Sequence, residues 1–482
     1  MRPKATAHSP RHAAAGKSTQ IPDSSDLPYL NIVDAAALLR RRRLSPVELT
    51  RAVLERIGRL DRKLHAFITV TAESALRAAR RAEREISAGK YRGPLHGIPV
   101  GVKDTHYTRG VRTTAGSEVL RDFFPAFDAT VVKRLKEAGA ILVGKTNLPE
   151  FSFGSATPAH NPWDLSRSPG GSSGGSAIAL AAGMLLGATG GDTSGSIRFP
   201  ATYCGVVGMK PTFGLVSRYG VIPISWSLDH VGPMTRTVRD NALMLNALAG
   251  YDPLDPSSSD VPTPDYLKAL KRPIRGMAIG IPKERLLHGY HSDVLRAFEG
   301  ALALLTKMGA RVREIEIPAS AEAMDQAQRV VRIVEAACYH ESFLASRADR
   351  YAKDSHDVDI RSPRRDMEAG MMITGVQYLR AQRVKALSVR EMSALFSRFD
   401  VFLSPGRPAP AGEPVAVEQD FSRMFNCSGF PALALPAGFS TSPPGLPVGL
   451  QIAAGPFQEE KIYAVAHAYE SATGWHRIRP PI

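Results

Sequence analysis

Short apolar runs alternate with amphipathic stretches along the chain, and they predict strands and helices in turn. Residues 45–48 form a capping box with proline at the first helical position, which predicts a helix extending to about Gly58. A second amphipathic helix is predicted over residues 71–88 and is closed by Gly89. The apolar run at 98–102 then predicts a short buried strand that ends at Lys103.

The same alternation continues through the middle of the chain. Asp128 is predicted to cap a helix that runs through residue 138, and "AILVG" follows as a strand. An apolar helix is predicted from Gly175 to about Leu186, and "GATGGD" and "GVVGMKP" read as two further short strands. Helices alternating with buried strands predict an α/β fold in which helices cover both faces of a sheet.

The C-terminal half is predicted to be helical first and strand-rich later. Residues 293–345 and 366–397 read mostly as helix, while "DVFLSP", "PALALPAG" and "PVGLQIAA" read as strands before a final amphipathic helix. Residues 27–482 are predicted to form one domain. The basic N-terminal tail, residues 1–26, is poor in large apolar residues and is predicted to be disordered.

Composition excludes several classes of protein. The chain has 482 residues, of which 44% are apolar and 22% charged, a globular mixture with ample material for a large core. No apolar run approaches the roughly 20 residues that a membrane span needs. The three cysteines, Cys204, Cys338 and Cys427, are odd in number and far apart. Such usage is typical of a reducing cytoplasm and argues against a disulfide framework or a metal site.

The net charge of +15 raises the question of a nucleic-acid partner. Most of the arginines in residues 71–88 share a predicted helix with glutamates, which is typical of a solvated face, and residues 40–43 form the one dense basic cluster. Zinc-finger spacing and aromatic-rich RNA motifs are absent from the sequence. We therefore do not expect a nucleic-acid partner.

Two short motifs match known catalytic or ligand-binding patterns, but the residues around them do not provide the secondary structure that those patterns require. "GAILVGKT" has the letters of a phosphate loop, but its four middle residues are themselves the predicted strand. "GGSSG" fits a nucleophile elbow centred on Ser172 or Ser173, yet "NPWDLSRSP" before it contains two prolines and no strand pattern. A Ser-His-Asp enzyme is therefore a weaker reading, and His230 is interpreted as a satisfied structural histidine.

Two turns rich in glycine and serine point to a different nucleophile system. "PGGSSGGS" opens an apolar helix, and "GGDTSGSIRFPA" lies between a strand and a helix. A serine that attacks a carbonyl must lose its proton, and a buried neutral lysine can accept it. Lys103 follows a buried strand and is placed for this role, with a second serine as a relay. Asp104 is expected to face away, because neighbouring side chains on a strand point to opposite faces.

At these residues the sequence resembles the amidase signature family of serine hydrolases. "PLHGIPVGVKD", "PGGSSGGS", "GGDTSGSIRFPA" and "FNCSGFPALALPAGF" are each similar to a family block and occur in the family's order. The resemblance implies an amidase-signature fold with a mixed central sheet. It also implies a substrate pocket shaped by a variable helical region at about 255–397.

The resemblance implies a Ser-cisSer-Lys triad. Carried over by motif, Lys103 is the general base, Ser172 the relay serine held by a cis peptide bond, and Ser196 the nucleophile. Ser173 is the competing choice for the relay. The oxyanion hole is then formed by the backbone N–H groups of the nucleophile turn, which are those of Thr193, Ser194, Gly195 and Ser196. Asp192 and Arg198 are the charged pair that supports this turn. The family commonly has two glycines before the nucleophile, whereas here Ser194 replaces the first.

The implied reaction is the hydrolysis of a small-molecule amide, acyl or aryl, with carbamates and esters as alternatives. Neither a metal nor an organic cofactor is implied. The nearest alternative is the glutaminase (A) subunit of a tRNA-dependent amidotransferase, and a remote one is a non-catalytic nucleic-acid-binding or scaffold protein. We expect a cytoplasmic protein without a membrane partner, and the sequence leaves a homodimer open.

Overall fold

Eleven strands of the described chain join in a single sheet. The computed structural model describes residues 23, 26–154, 157–353, 362–414, 417 and 421–482, so the predicted tail lies almost wholly outside them. In chain order the strands are β1 (Phe67–Val70), β2 (Pro99–Lys103), β3 (Ile141–Thr146), β4 (Gly187–Asp192), β5 (Val207–Lys210), β6 (His230–Thr235), β7 (Ala278–Pro282), β8 (Arg311–Ile315), β9 (Val401–Pro405), β10 (Ala432–Phe439) and β11 (Pro447–Ala454).

The sheet is mixed. Its strands lie in the order β1-β3-β2-β4-β6-β5-β10-β11-β9-β7-β8. Strand β2 is parallel to both β3 and β4, and β7 is parallel to β8 and β9. The other neighbours are antiparallel, including β4 with β6 and β10 with β11. The predicted mixed α/β sheet is confirmed.

Helices cover both faces of the sheet. In the described ranges they are α1 (Ile32–Arg40), α2 (Pro46–Leu64), α3 (Ala72–Ser87), α4 (Thr130–Glu137), α5 (Gly174–Ala181), α6 (Arg198–Cys204), α7 (Val238–Leu248), α8 (Tyr266–Ala269), α9 (Ser292–Lys307), α10 (Ala321–Arg347), α11 (Pro363–Met371), α12 (Gly375–Phe396), α13 (Ser422–Ser428) and α14 (Glu459–Thr473). On β4, Gly187 faces Met244 of α7, whereas Gly190 faces Ile197 beside α6. Positions of opposite parity on a strand point to opposite faces, so α7 and α6 lie on different sides. None of the described helices is long and apolar enough to cross a membrane.

Three predicted helix boundaries were wrong. Helix α2 continues past Gly58 to Leu64, because Leu60 and Leu64 prolong its buried face. Asp128 does not cap α4, whose N-cap is Ala129; its carboxylate instead accepts hydrogen bonds from the Arg109 N–H and the Lys136 ammonium. Helix α5 ends at Ala181, and the chain then turns toward β4 through Gly183, which has a φ of 67°.

The helical reading of residues 293–345 missed strand β8. This strand carries Arg311, Arg313 and Glu314, and most of its side chains are exposed or half-exposed. It forms one edge of the sheet, and its one partner among the described strands is β7. An edge strand needs no alternating apolar pattern when neither of its faces is deeply buried, so periodicity gave no signal for it. That residues 27–482 act as one domain stays a prediction.

The parallel pairing of β2 with β4 positions the candidate site. Val100 and Gly101 pair with Gly187 and Ala188, so the two strands run side by side in the same direction. The carboxyl ends of parallel neighbours lie at the same edge of a sheet. Lys103, the last residue of β2, is therefore brought close to the turn that follows Asp192.

Candidate active site

Lys103 is a buried lysine whose side chain has one hydrogen-bond partner among the described residues. Its side chain is 2% exposed, and Nζ donates a hydrogen bond to Ser172 Oγ over 2.6 Å. Burial lowers the pKa of Lys103 to about 7, although the carboxylates of Asp229 and Asp192 oppose this shift. A lysine of that pKa has a large neutral fraction near neutral pH and can accept a proton.

The structure places Ser172, and not Ser173, beside Lys103. The Gly171–Ser172 peptide bond is cis, as predicted. Ser173 has a separate role, because its hydroxyl donates to Gly191 O over 3.2 Å and accepts from Gly191 N over 3.1 Å. The Ser173 amide also donates to Ser196 O over 3.0 Å, which ties the two serine turns together.

Ser196 lies at the turn between β4 and α6 and is partly exposed. Its hydroxyl has no hydrogen-bond partner among the residues that the structure describes. The predicted bridge from Ser172 to both Lys103 and Ser196 is therefore present on the lysine side only. A partly exposed serine hydroxyl without a partner is open to a substrate.

The backbone N–H groups around Ser196 are not all equivalent. Gly195 N donates to Asp192 Oδ1 over 2.7 Å, so its N–H is already used. No acceptor within the described ranges pairs with the backbone N–H groups of Thr193, Ser194 or Ser196. Three of the four amides predicted for the oxyanion hole are thus free to bind an anionic oxygen.

Asp192 and Arg198 form the predicted charged pair, and both are fully buried. Arg198 donates from Nε to Asp192 Oδ2 and from Nη2 to Oδ1, each over 3.0 Å. Burial alone would raise the pKa of the Asp192 carboxyl, but Arg198 holds it well below its usual range. The carboxylate also accepts from the Gly195 and Ile197 amides, so the pair fixes the nucleophile turn.

Sequence reasoning missed the polar residues that complete this network. Asn426 of α13 donates to Asp192 Oδ1 over 2.8 Å and accepts from Arg198, and Gln451 of β11 accepts from Arg198 over 2.6 Å. Gln328 of α10 donates to Thr193 O over 3.0 Å and also to the Ser194 hydroxyl. Asn426 lies within the "FNCSG" block, and this position was the only sequence feature that could have pointed to its role in the site.

Lys145, from the phosphate-loop pattern, is a buried structural lysine. It lies in β3, and Nζ donates to His106 O over 2.6 Å and to Thr113 Oγ1 over 2.7 Å. Asp104 lies 3.3 Å from it and accepts two hydrogen bonds from Thr114. Asp104 thus pairs with Lys145, on the side away from Lys103, as predicted.

A cavity of about 270 Å³ lies beside Lys103. Its lining includes Thr193, Arg218, Asp229 and His230. His230, interpreted from the sequence as a satisfied structural histidine, has a hydrogen-bond partner at one ring nitrogen. Nδ1 contacts Leu228 O at 2.7 Å, whereas the buried Nε2 has no partner in the part of the chain that the structure describes.

A sequence profile described as Amidase matches residues 48–463 of the chain. Two curated relatives are each named as the A subunit of a glutamyl-tRNA(Gln) amidotransferase. The relative from Carboxydothermus hydrogenoformans is 39% identical and the alignment covers 95% of this chain and 100% of the relative. That from Geobacter sp. strain M21 is 41% identical, with 94% and 99% covered.

Solved structures of three proteins are similar over almost the whole chain. A bacterial aryl acylamidase of the amidase signature family superposes with a TM-score of 0.85 at 26% identity, covering 94% of this chain and 99% of its own. The peptide amidase of Stenotrophomonas maltophilia gives 0.81 at 33% identity, covering 95% and 99%. The A subunit of the glutamyl-tRNA(Gln) amidotransferase from Thermotoga maritima gives 0.76 at 34% identity, covering 92% and 95%.

Proposed function

The chain belongs to the Amidase family, and from that premise we propose that it hydrolyses a carboxylic amide through an acyl-enzyme on Ser196. The observation that carries the proposal is the hydrogen bond from Lys103 to Ser172, beside a partly exposed Ser196. These three side chains make a path for one proton, which runs from the accessible hydroxyl of Ser196 through the buried hydroxyl of Ser172 to the neutral amine of Lys103. The proposed catalytic residues are Lys103, Ser172 and Ser196.

In the first step Ser196 Oγ forms a bond to the carbonyl carbon of the amide. The Ser196 proton passes to Ser172, and the Ser172 proton passes to Lys103, which becomes an ammonium. The free amides of Thr193, Ser194 and Ser196 stabilise the oxyanion that develops on the carbonyl oxygen. When the C–N bond breaks, the proton returns through Ser172 to the nitrogen, and ammonia or an amine leaves.

The second step repeats the path with water. Water gives a proton through Ser172 to Lys103 as its oxygen attacks the acyl carbon. The bond to Ser196 Oγ then breaks, Ser196 takes the proton back and the carboxylic acid is released. Lys103 ends neutral, so the cycle needs no other acid or base.

The curated relatives favour glutamine as the amide and this chain as the ammonia-producing subunit of an amidotransferase. Their 39–41% identity over nearly full length supports the glutaminase alternative better than the free amidase that we expected first. Such a chain has a protein partner and acts on a small amino acid.

Charges on α10 give this reading physical support. Gln328 contacts the oxyanion turn, and Asp325 and Arg332 lie three and four residues away, on the same helix face. Arg332 is only loosely paired, since its Nη2 lies 3.5 Å from Asp366. The Asp325 carboxylate already pairs with Arg423 and Arg329, whereas the guanidinium of Arg332, one helical turn from Gln328, suits the carboxylate of an amino acid.

A free amidase is the second candidate, and fold similarity favours it. The TM-scores with the aryl acylamidase and the peptide amidase, 0.85 and 0.81, exceed the 0.76 with the Thermotoga maritima amidotransferase protein. Carbamates and esters react through the same tetrahedral intermediate and belong to this candidate. We place either enzyme in the cytoplasm, since Cys204, Cys338 and Cys427 are free thiols.

The two candidates separate in one assay of the full chain. Purified protein is incubated with glutamine, a peptide amide and an acetanilide, with and without co-expressed partner proteins, and ammonia or amine release is measured. Glutamine hydrolysis that needs the co-expressed partners supports the amidotransferase reading, and turnover of the other amides by the chain alone supports the free amidase. Turnover retained by Ser196→Ala would overturn the proposed mechanism for both.

A further inference from the structure

Asp229 is a half-buried carboxylate that lies outside the sequence blocks of the amidase signature. It immediately precedes β6, which is the antiparallel neighbour of β4. Because Asp192 pairs with His230 in that register, Asp229 lies next to the end of β4 and the turn that carries Ser196. The sequence gives no sign of this proximity.

The Asp229 carboxylate holds one residue of the oxyanion turn. Thr193 Oγ1 donates to Asp229 Oδ1 over 2.6 Å. The other oxygen accepts from the Ile224 and Ser225 amides over 2.8 and 3.1 Å, which fixes the carboxylate itself. The Thr193 amide, one of the three free N–H groups, is thus attached to a rigid anchor.

Asp229 and Lys103 also line the same cavity, and no hydrogen bond joins them among the described residues. A carboxylate and an amine that line one cavity interact through space, and the interaction is screened less where one of the two is buried, as Lys103 is. The Asp229 charge therefore acts on Lys103 through space.

We propose that Asp229 is a positioning residue that holds the oxyanion turn through Thr193 and sets the protonation of Lys103 across the cavity. This inference rests on the proposed function, because it assigns Asp229 a part in the same reaction. Asp229 touches neither Ser172 nor Ser196, so it acts through two other residues.

Other charged or titratable groups of the described chain pack near Lys103, and burial holds the pKa of the His230 ring, which lines the same cavity, well below its usual range. Asp192, at the end of β4, is paired with Arg198, and His106 on the turn after β2 is buried, which holds the pKa of its ring well below the usual range. Lys145 on β3 is held by Asp104, His106 and Thr113. Arg218, which lines the same cavity, lies near Asp229 and Asp255.

Electrostatics predict the direction in which the pKa of Lys103 changes when the Asp229 carboxylate is replaced. Burial lowers the pKa of Lys103, and Asp229 is the foremost charge that raises it again. Replacing the carboxylate by an amide removes that opposition, so the lysine becomes neutral at lower pH. The pH at which the base is half active then moves down.

The test measures how fast a fluorophosphonate labels Ser196 between about pH 5 and 9. This probe needs no knowledge of the substrate, and its fluoride leaves without a proton, so the rate follows the base alone. For Asp229→Asn we expect the midpoint to fall by about one pH unit. The matched control is Asp255→Asn, the same change on the same cavity wall, and its midpoint is expected to equal that of the wild type.

A second pair of variants tests how Asp229 holds Thr193, separately from the effect of its charge on Lys103. The same pair tests the proposal if Asp229→Asn does not fold. Thr193→Val removes the hydroxyl that binds Asp229, and it should lower the labelling rate about tenfold with an unchanged midpoint. Thr193→Ser keeps the hydroxyl and should restore the rate.

Each failure has a distinct signature. An unchanged midpoint in a folded Asp229→Asn, or a wild-type rate in Thr193→Val, overturns this inference while Ser196→Ala is still unlabelled. Labelling of Ser196→Ala overturns the proposed function instead. Thermal unfolding of each variant shows whether it is folded.

Discussion

Lys103 Nζ donates a hydrogen bond to Ser172 Oγ over 2.6 Å, and both side chains are buried. The contact joins the end of strand β2 to the turn before helix α5, 69 residues further along the chain. Such a pair has no structural need for a lysine, since burying an ammonium is costly unless it is paired. The relationship makes chemical sense when the lysine exchanges a proton.

The first prediction concerns the nucleophile. Ser196→Ala should abolish turnover and leave the thermal unfolding temperature nearly unchanged, because the side chain is partly exposed and makes no hydrogen bond within the described residues. Mass spectrometry after fluorophosphonate treatment should find the label on Ser196 of the wild type. A label on Ser173, or on a serine whose reactivity depends on a histidine, would refute the assignment.

The second prediction concerns the relay. Ser172→Ala breaks the path between Lys103 and Ser196 and should lower the rate of amide acylation at least about 100-fold. Ser173→Ala is the matched control, because among the described residues its hydroxyl bonds to Gly191 alone, and it should retain labelling. Single-turnover kinetics of the two variants make the comparison. Equal losses would show that the two serines do not differ as proposed.

The third prediction concerns pH. Lys103 is active when neutral and its pKa lies at about 7, so activity should rise with pH and level off above about pH 8. Lys103→Arg stays charged and should lose amide turnover by several orders of magnitude, and activated esters, whose leaving groups need no proton, should suffer less. Near-normal amide turnover by Lys103→Arg would mean that the residue supplies only a positive charge.

The fourth prediction concerns stability. Arg198→Gln leaves the Asp192 carboxylate buried without its guanidinium, and the free energy of unfolding should fall by about 3–5 kcal/mol. Arg77→Gln is the control, since its contact with Glu73 is 3.5 Å long and both side chains are exposed; its change should be below about 0.5 kcal/mol. Urea denaturation measures both. A loss for Arg198→Gln no larger than the control's would contradict the role assigned to the pair.

The fifth prediction concerns the substrate. If Arg332 binds the carboxylate of glutamine, Arg332→Met should raise KM for glutamine about tenfold and leave KM for an uncharged amide unchanged. Arg329→Met, on the same helix and paired with Asp325, is the control for a loss of positive charge. An equal rise for both substrates would assign Arg332 to packing, and the amino-acid substrate would lose its support.

Part of the site was predictable because its chemistry lies in short blocks. Lys103, Ser172 and Ser196 each stand in a run of small or apolar residues whose local pattern is distinctive, and the cis bond was predicted from the block around Ser172. The Gly195 amide, one of the four predicted for the oxyanion hole, instead donates to Asp192. Whether the Gly195 N–H is free depends on where the Asp192 carboxylate points, and no local pattern encodes that.

The sequence by itself determined the strands with strong apolar runs and the helices with clear amphipathic faces, since each depends on neighbours within a few residues, and its motif blocks gave the proposed triad by resemblance to a family. Tertiary structure alone decided which distant polar groups surround that triad. Asp229 reaches Thr193 because β6 pairs with β4, and Asn426 and Gln451 reach Arg198 from helix α13 and strand β11. Each such polar side chain is unremarkable in its own segment, and it acquires a role only where pairing and packing remove water and leave it one partner.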